Sequence, residues 1–152
     1  MNYETANEIE LAIAKFFGIR KYVIVPNVSW GFLQYEADML ILTSSLYAWE
    51  VEIKVSVADL LRDQHKRHSH DSPYVRRLWF AIPECLESSA DHIPFRAGIL
   101  VVKKNGKVVQ CRKPKILNCR KLSETDSFKI ARLGVMRIWS LKEKIINMTT
   151  IG

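Results

Sequence analysis

Polar and apolar positions alternate most clearly between residues 34 and 55, where two runs carry the period of two that marks strands. Met39, Ile41 and Thr43 alternate with Asp38, Leu40 and Leu42, while Trp49, Val51, Ile53 and Val55 alternate with Glu50, Glu52 and Lys54. Only Ser44, Ser45 and Leu46 are left for a turn, which predicts an antiparallel hairpin. With Thr43 opposite Tyr47, paired residue numbers sum to 90, so that Asp38 faces Glu52 and Glu36 faces Lys54. A slip of one residue would invert the pleat and send Asp38 to the face away from Glu52.

Elsewhere the pattern predicts a first helix over 4–17, with Ile9, Ile13, Phe16 and Phe17 on one stripe and Thr5 to Glu8 as a capping box. A short strand over 22–26 and a loop over 27–31 follow. A second helix is expected from Ser56 to about residue 67, with Val57, Leu60 and Leu61 turned inward. The apolar run 77–83 reads as a strand covered on both faces. Asn105-Gly106 between 97–104 and 107–112 is a hairpin signal. Ser123 opens a last helical region in which Phe128, Ala131, Leu133, Met136, Trp139 and Leu141 are expected to pack, with Gly134 as a point of interruption.

The hairpin is where chemistry concentrates. Opposed like charges destabilise a sheet, and a divalent cation between Asp38 and Glu52 would turn that repulsion into coordination. Oxygen ligands of this kind suit Mg²⁺ or Mn²⁺, which acidifies water and offsets phosphate charge. Lys54 projects from the same face as Glu52 and is placed to orient water or stabilise charge on a phosphoryl group. Glu36 and Glu50 share that face as supporting carboxylates. A plainer account competes: these charges are the wet face of a half-buried hairpin.

Glu36-Ala-Asp38 followed by Trp-Glu-Val-Glu52-Ile-Lys54-Val-Ser56 resembles the PD-(D/E)XK nuclease superfamily, in particular its small stand-alone phage and bacterial members linked to DNA repair. The usual proline before the first aspartate is Ala37 here. The resemblance implies an α/β fold with a restriction-endonuclease-like core, a central mixed sheet flanked by helices, and Mg²⁺-dependent hydrolysis of nucleic acid. It assigns Asp38, Glu52 and Lys54 as catalytic residues, with Asp38, Glu52 and the Ile53 carbonyl at the metal. Superfamily members often place another acid on the first helix, for which Glu8 is the candidate beside its capping role. Such nucleases often pair to cut two strands, which leaves a homodimer open.

Length and composition fit one globular domain: 152 residues, 48% hydrophobic. No apolar run approaches a membrane span, and the start is unlike a signal peptide, so a cytoplasmic protein is expected. Three cysteines make no even framework, which agrees with a reducing compartment. The net charge of +7 is uneven: residues 100–152 carry 13 Lys and Arg against 3 Asp and Glu, and residues 1–99 carry 10 against 13. An acidic site part beside a basic last third suits a phosphate-backbone partner, RNA as well as DNA, and it is the resemblance that favours DNA. Arg62 and Lys66 on the second helix, and Lys103, Lys104 and Lys107 at the later hairpin tip, are the candidate backbone contacts. The expectation is a metal-dependent nuclease of one domain; the alternative is a catalytically silent nucleic-acid-binding protein with the same fold.

Overall fold

A computed structural model describes residues 3–29, 35–65 and 72–151. Strands β1 (Val23–Val28), β2 (Ala37–Leu42), β3 (Ala48–Ile53), β4 (Val75–Pro83), β5 (Gly98–Val102) and β6 (Val108–Arg112) lie side by side in chain order in one sheet. The first three form an antiparallel meander, β4 and β5 run parallel to β3, and β6 returns antiparallel to β5. Helices α1 (Ala6–Phe17), α2 (Val57–Gln64) and α3 (Glu124–Thr150), with a 3₁₀ segment at Glu84–His92, flank the sheet. The chain is therefore α/β, with a mixed sheet between helices.

The β2–β3 hairpin has the register that its short turn predicts. Met39 pairs with Val51, Leu40 with Glu50, Ile41 with Trp49 and Leu42 with Ala48. The Thr43 N–H donates to the Tyr47 carbonyl at 2.9 Å, and the Leu46 N–H donates to the Thr43 carbonyl at 3.0 Å. Leu46 itself takes a left-handed φ of 66°, the conformation a three-residue hairpin loop needs at its last position.

The two faces of the sheet are covered differently. On one, Met39, Ile41, Val51, Trp79, Ala81, Leu100 and Val102 form a continuous core under Ile9, Ala12 and Ile13 of α1. On the other there are two cores. Val25, Leu40, Leu42 and Ala48 pack with Leu122 and with Ile130 of α3, while Leu78, Phe80, Ile82, Ile99 and Val101 pack with Leu60 of α2. Glu50 pairs across the sheet with Leu40 on one side and Leu78 on the other. The charged strip of β3 thus runs between the two cores.

Capping agrees with the sequence. Thr5 and Glu8 close a reciprocal box on α1, and the Ser56 hydroxyl accepts the Asp59 N–H at 3.2 Å to start α2. β4 is buried over most of its length, as a strand covered on both faces must be. Asn105-Gly106 makes the β5–β6 turn, with Gly106 at φ 85°.

The last helix departs from expectation. Gly134 does not interrupt it: α3 is continuous, and a Cβ at Gly134 would lie 3.3 Å from Val25 Cγ2, so the glycine lets helix and β1 approach closely. Of the residues expected to pack, Leu133 joins the core beside Ile130, but Phe128, Met136, Trp139 and Leu141 are exposed. For Trp139 and Leu141 the cause is length, since 27 helical residues extend about 40 Å at the usual rise and the six residues of β1 beneath them span about 20 Å, whereas Phe128 lies off the helix face that carries Ile130 and Leu133. No helix among the described residues is long and apolar enough to cross a membrane.

Candidate functional site

Extending the hairpin register by one pair sets Asp38 opposite Glu52. Asp38 accepts the Ile53 N–H on Oδ2 at 2.7 Å, which ties the first carboxylate to the strand carrying the second. Asp38 is half-buried; Glu50 and Glu52 are buried, at 0% and 2% exposure. Carboxylates are seldom buried without charge or hydrogen-bond partners, so their partners define the site.

Lys54 is the central cation. Its Nζ lies 2.8 Å from Asp63 Oδ1 and 3.5 Å from Glu52 Oε2, and all three side chains are buried. Burial alone would push the Lys54 ammonium down, but the Asp63 hydrogen bond and the charges of Glu52, Asp63 and Asp38 more than offset it and raise its pKa above the ordinary value. Lys54 is thereby kept as a cation, and its backbone N–H continues the parallel ladder to the Ala81 carbonyl at 3.0 Å.

Glu50 accepts the Tyr35 hydroxyl at 2.5 Å in the interior. Burial, then the Glu50 charge and hydrogen bond, push the Tyr35 pKa far up, so the phenol stays a donor. Glu50 thus buttresses the strip from Tyr35.

Glu10 on α1 is the acid whose charge is coupled to Asp38. Burial raises its pKa first and the Asp38 charge raises it further, while Arg137 of α3 opposes both. Arg137 is itself anchored to the Asn27 carbonyl at 2.7 Å, where Asn27 leaves the strand conformation with φ 52°. Glu8 is occupied elsewhere: its Oε2 accepts the Thr5 N–H at 3.1 Å and the Thr5 hydroxyl at 2.8 Å, and these bonds hold its carboxyl below the usual range. It serves the cap of α1.

The remaining expected residues are dispersed. Glu36 is exposed just before β2. Arg62 pairs with Asp59 on the outer side of α2. Lys103 lies between Glu84 at 3.4 Å and Glu87 at 3.3 Å, so it braces the β5–β6 hairpin against the 3₁₀ segment. Lys104 and Lys107 are exposed at that tip. Lys66 lies outside the described residues.

Three members of the site escape a reading of the sequence: Tyr35, Asp63 and Glu10. Asp63 carried a usable signal, since it stands three residues after the inward Leu60 and therefore on the same helical face.

All the available donors are oxygens, which fits a hard divalent cation. Among the described residues no group of three or more His, Cys, Asp or Glu side chains converges to hold a metal. Mg²⁺ is commonly held by only one or two carboxylates and otherwise by water and substrate oxygens, a need that two carboxylates could meet. Asp38, Glu52 and the Ile53 carbonyl are the groups that would hold it.

No protein-family model matches the chain, and no curated protein matches it. Among solved structures, the SPO1766 protein of unknown function from Silicibacter pomeroyi is similar, with a TM-score of 0.63 over 98% of this chain and 94% of that one, at 14% sequence identity. At that identity the likeness is one of fold alone.

Proposed function

We propose that the chain is a metal-dependent nuclease of the PD-(D/E)XK kind, hydrolysing phosphodiester bonds of nucleic acid, most readily DNA, in repair, recombination or phage DNA metabolism. The observation that carries this reading is the placement of Lys54, a buried cation clamped by Asp63 beside Glu52, on the strand face that Asp38 meets across the hairpin. A merely solvated hairpin face would leave a lysine at the surface with its head in water. The α/β architecture, with a mixed sheet flanked by helices, supports a restriction-endonuclease-like core.

In this reading Asp38 and Glu52 present carboxylate oxygens for Mg²⁺ or Mn²⁺. When bound, the cation supplies positive charge against the phosphate and acidifies the attacking water. Lys54 acts as a cation rather than as a proton acceptor, because its partners hold it protonated. Its Nζ–H groups orient the water and offset charge on the phosphoryl oxygens. Water attacks phosphorus in line as the P–O bond to the leaving oxygen breaks; the proton lost by the water passes to solvent and the leaving oxygen takes one from solvent, with no covalent enzyme intermediate. Glu10 and Glu50 shape the charge around the centre without sharing its two ligand positions.

The second reading, a nucleic-acid-binding protein of the same fold without turnover, has support in Asp38, whose Oδ2 is already engaged by the Ile53 N–H. Calorimetric titration with Mn²⁺ tests the proposed site at its base. Binding by the intact protein, weakened in Asp38→Asn and Glu52→Gln, is expected; no Mn²⁺ binding at all would remove the metal from the site.

A further inference from the structure

Between Asp91 and Glu124 the chain carries nine Lys or Arg residues and no Asp or Glu. Within this stretch Phe95 is 74% exposed, on the loop between the 3₁₀ segment and β5. The loop is held rigidly. The Arg112 guanidinium donates from Nε to the Ala97 carbonyl at 2.8 Å, and from Nη2 to the Pro94 carbonyl at 2.6 Å and the Ile93 carbonyl at 3.3 Å. The Lys115 N–H donates to the Arg96 carbonyl at 3.0 Å, and the Ala97 N–H to the Pro94 carbonyl at 3.0 Å. Carbonyls on both sides of Phe95 are thus fixed, which holds in place the backbone that carries the ring.

Cations surround the ring: Lys115 Nζ lies 4.4 Å and the Arg112 guanidinium 5.9 Å from its centroid. The neighbours Pro94 and Arg96, though not Phe95 itself, line a cleft of about 300 Å³ together with Asp63 and Asp91. Asp63 is the residue that clamps Lys54, so the cleft beside the Phe95 loop reaches one member of the candidate site. The Gln64 amide ties the end of α2 to the His92 carbonyl at 3.2 Å across the same cleft.

We infer that Phe95, with Lys115 and Arg112, is a stacking platform for an unpaired nucleobase, which seats a single-stranded portion of nucleic acid beside the Lys54–Asp63 pair. An aromatic face takes any base, and the flanking Lys115 takes the phosphate that follows it while Arg112 holds the loop carbonyls, a combination like that by which single strands are bound without sequence preference. A paired base inside a duplex does not offer its face in this way. A pinned loop also means that little ordering entropy is lost when the base arrives. This inference rests on the nucleic-acid reading of the site but not on turnover.

The test is fluorescence anisotropy of the full-length protein with short labelled dT and rU single strands and a duplex of equal length, all in EDTA. Phe95→Ala is expected to weaken single-strand binding roughly five- to hundredfold, with duplex binding little changed. Phe95→Trp should restore it, and Lys115→Ala should weaken it with a shallower salt dependence. The tighter of dT and rU identifies the preferred strand. Unchanged single-strand affinity in Phe95→Ala, equal losses on single strands and duplex, or no single-strand binding by the unsubstituted protein would each overturn the platform. Single-strand binding that depends on Phe95 in a protein that never cleaves would keep the platform and sink the nuclease reading.

Discussion

The Lys54 ammonium lies 2.8 Å from the Asp63 carboxylate, and both side chains are buried between the end of β3 and α2. Removing one partner of a buried pair leaves the other charge uncompensated, at a cost of about 3–5 kcal/mol, whereas replacing both by apolar groups is far less harmful. Lys54→Met and Asp63→Leu are each expected to lower the urea midpoint strongly, and the double variant to lie closer to the unsubstituted protein than either. Additive losses in that double-mutant cycle would show that the two residues are not coupled.

The same pair sets a pH dependence. Because Lys54 has a folded pKa raised above its ordinary 10.5, its contribution to stability is fully present below that value and is lost as pH rises through the folded one. Urea unfolding followed into the alkaline range should therefore show a loss of stability that Lys54→Met flattens. An identical alkaline slope in both proteins would contradict the assignment.

Tyr35 and Glu50 form the second buried contact of the strip, at 2.5 Å. A hydrogen bond to a charged group contributes about 1.5–3 kcal/mol, so Tyr35→Phe should destabilise the protein by that amount in urea denaturation while leaving its far-UV spectrum intact. A variant as stable as the parent would mean that Glu50 does not depend on the phenol.

Gly98 lies against Trp79 at the centre of the sheet. A Cβ there would stand 2.4 Å from Trp79 Cε3 and 2.8 Å from Pro114 Cδ, distances that force the surroundings to move. Overpacking of this kind costs about 1–3 kcal/mol, and Gly98→Ala should lower the melting temperature accordingly. An unchanged melting temperature would show that the Trp79 ring has room to shift.

How far the sequence reveals this arrangement depends on how local each cause is. The hairpin register was readable because a three-residue turn and a period-two pattern fix each other, which put Asp38 opposite Glu52 before any coordinates. The Thr5–Glu8 capping box and the Asn105-Gly106 turn are likewise legible because their causes are local. Tyr35 was not, because its partner Glu50 is brought to it by tertiary packing. Glu10 carries no local signal, because its coupling to Asp38 depends on how α1 packs, whereas the capping box of Thr5 and Glu8 is local. The apolar residues late in α3 were assigned to a core by periodicity alone, but periodicity does not report where the supporting strand ends.

The most direct measurement is cleavage of end-labelled single-stranded, duplex and branched DNA, and of RNA, by the purified protein in Mg²⁺, Mn²⁺ or EDTA, beside Asp38→Ala and Lys54→Ala. Cleavage that requires the cation and disappears in both variants is expected. Binding without cleavage on every substrate and cation would contradict the nuclease and leave the silent nucleic-acid-binding protein.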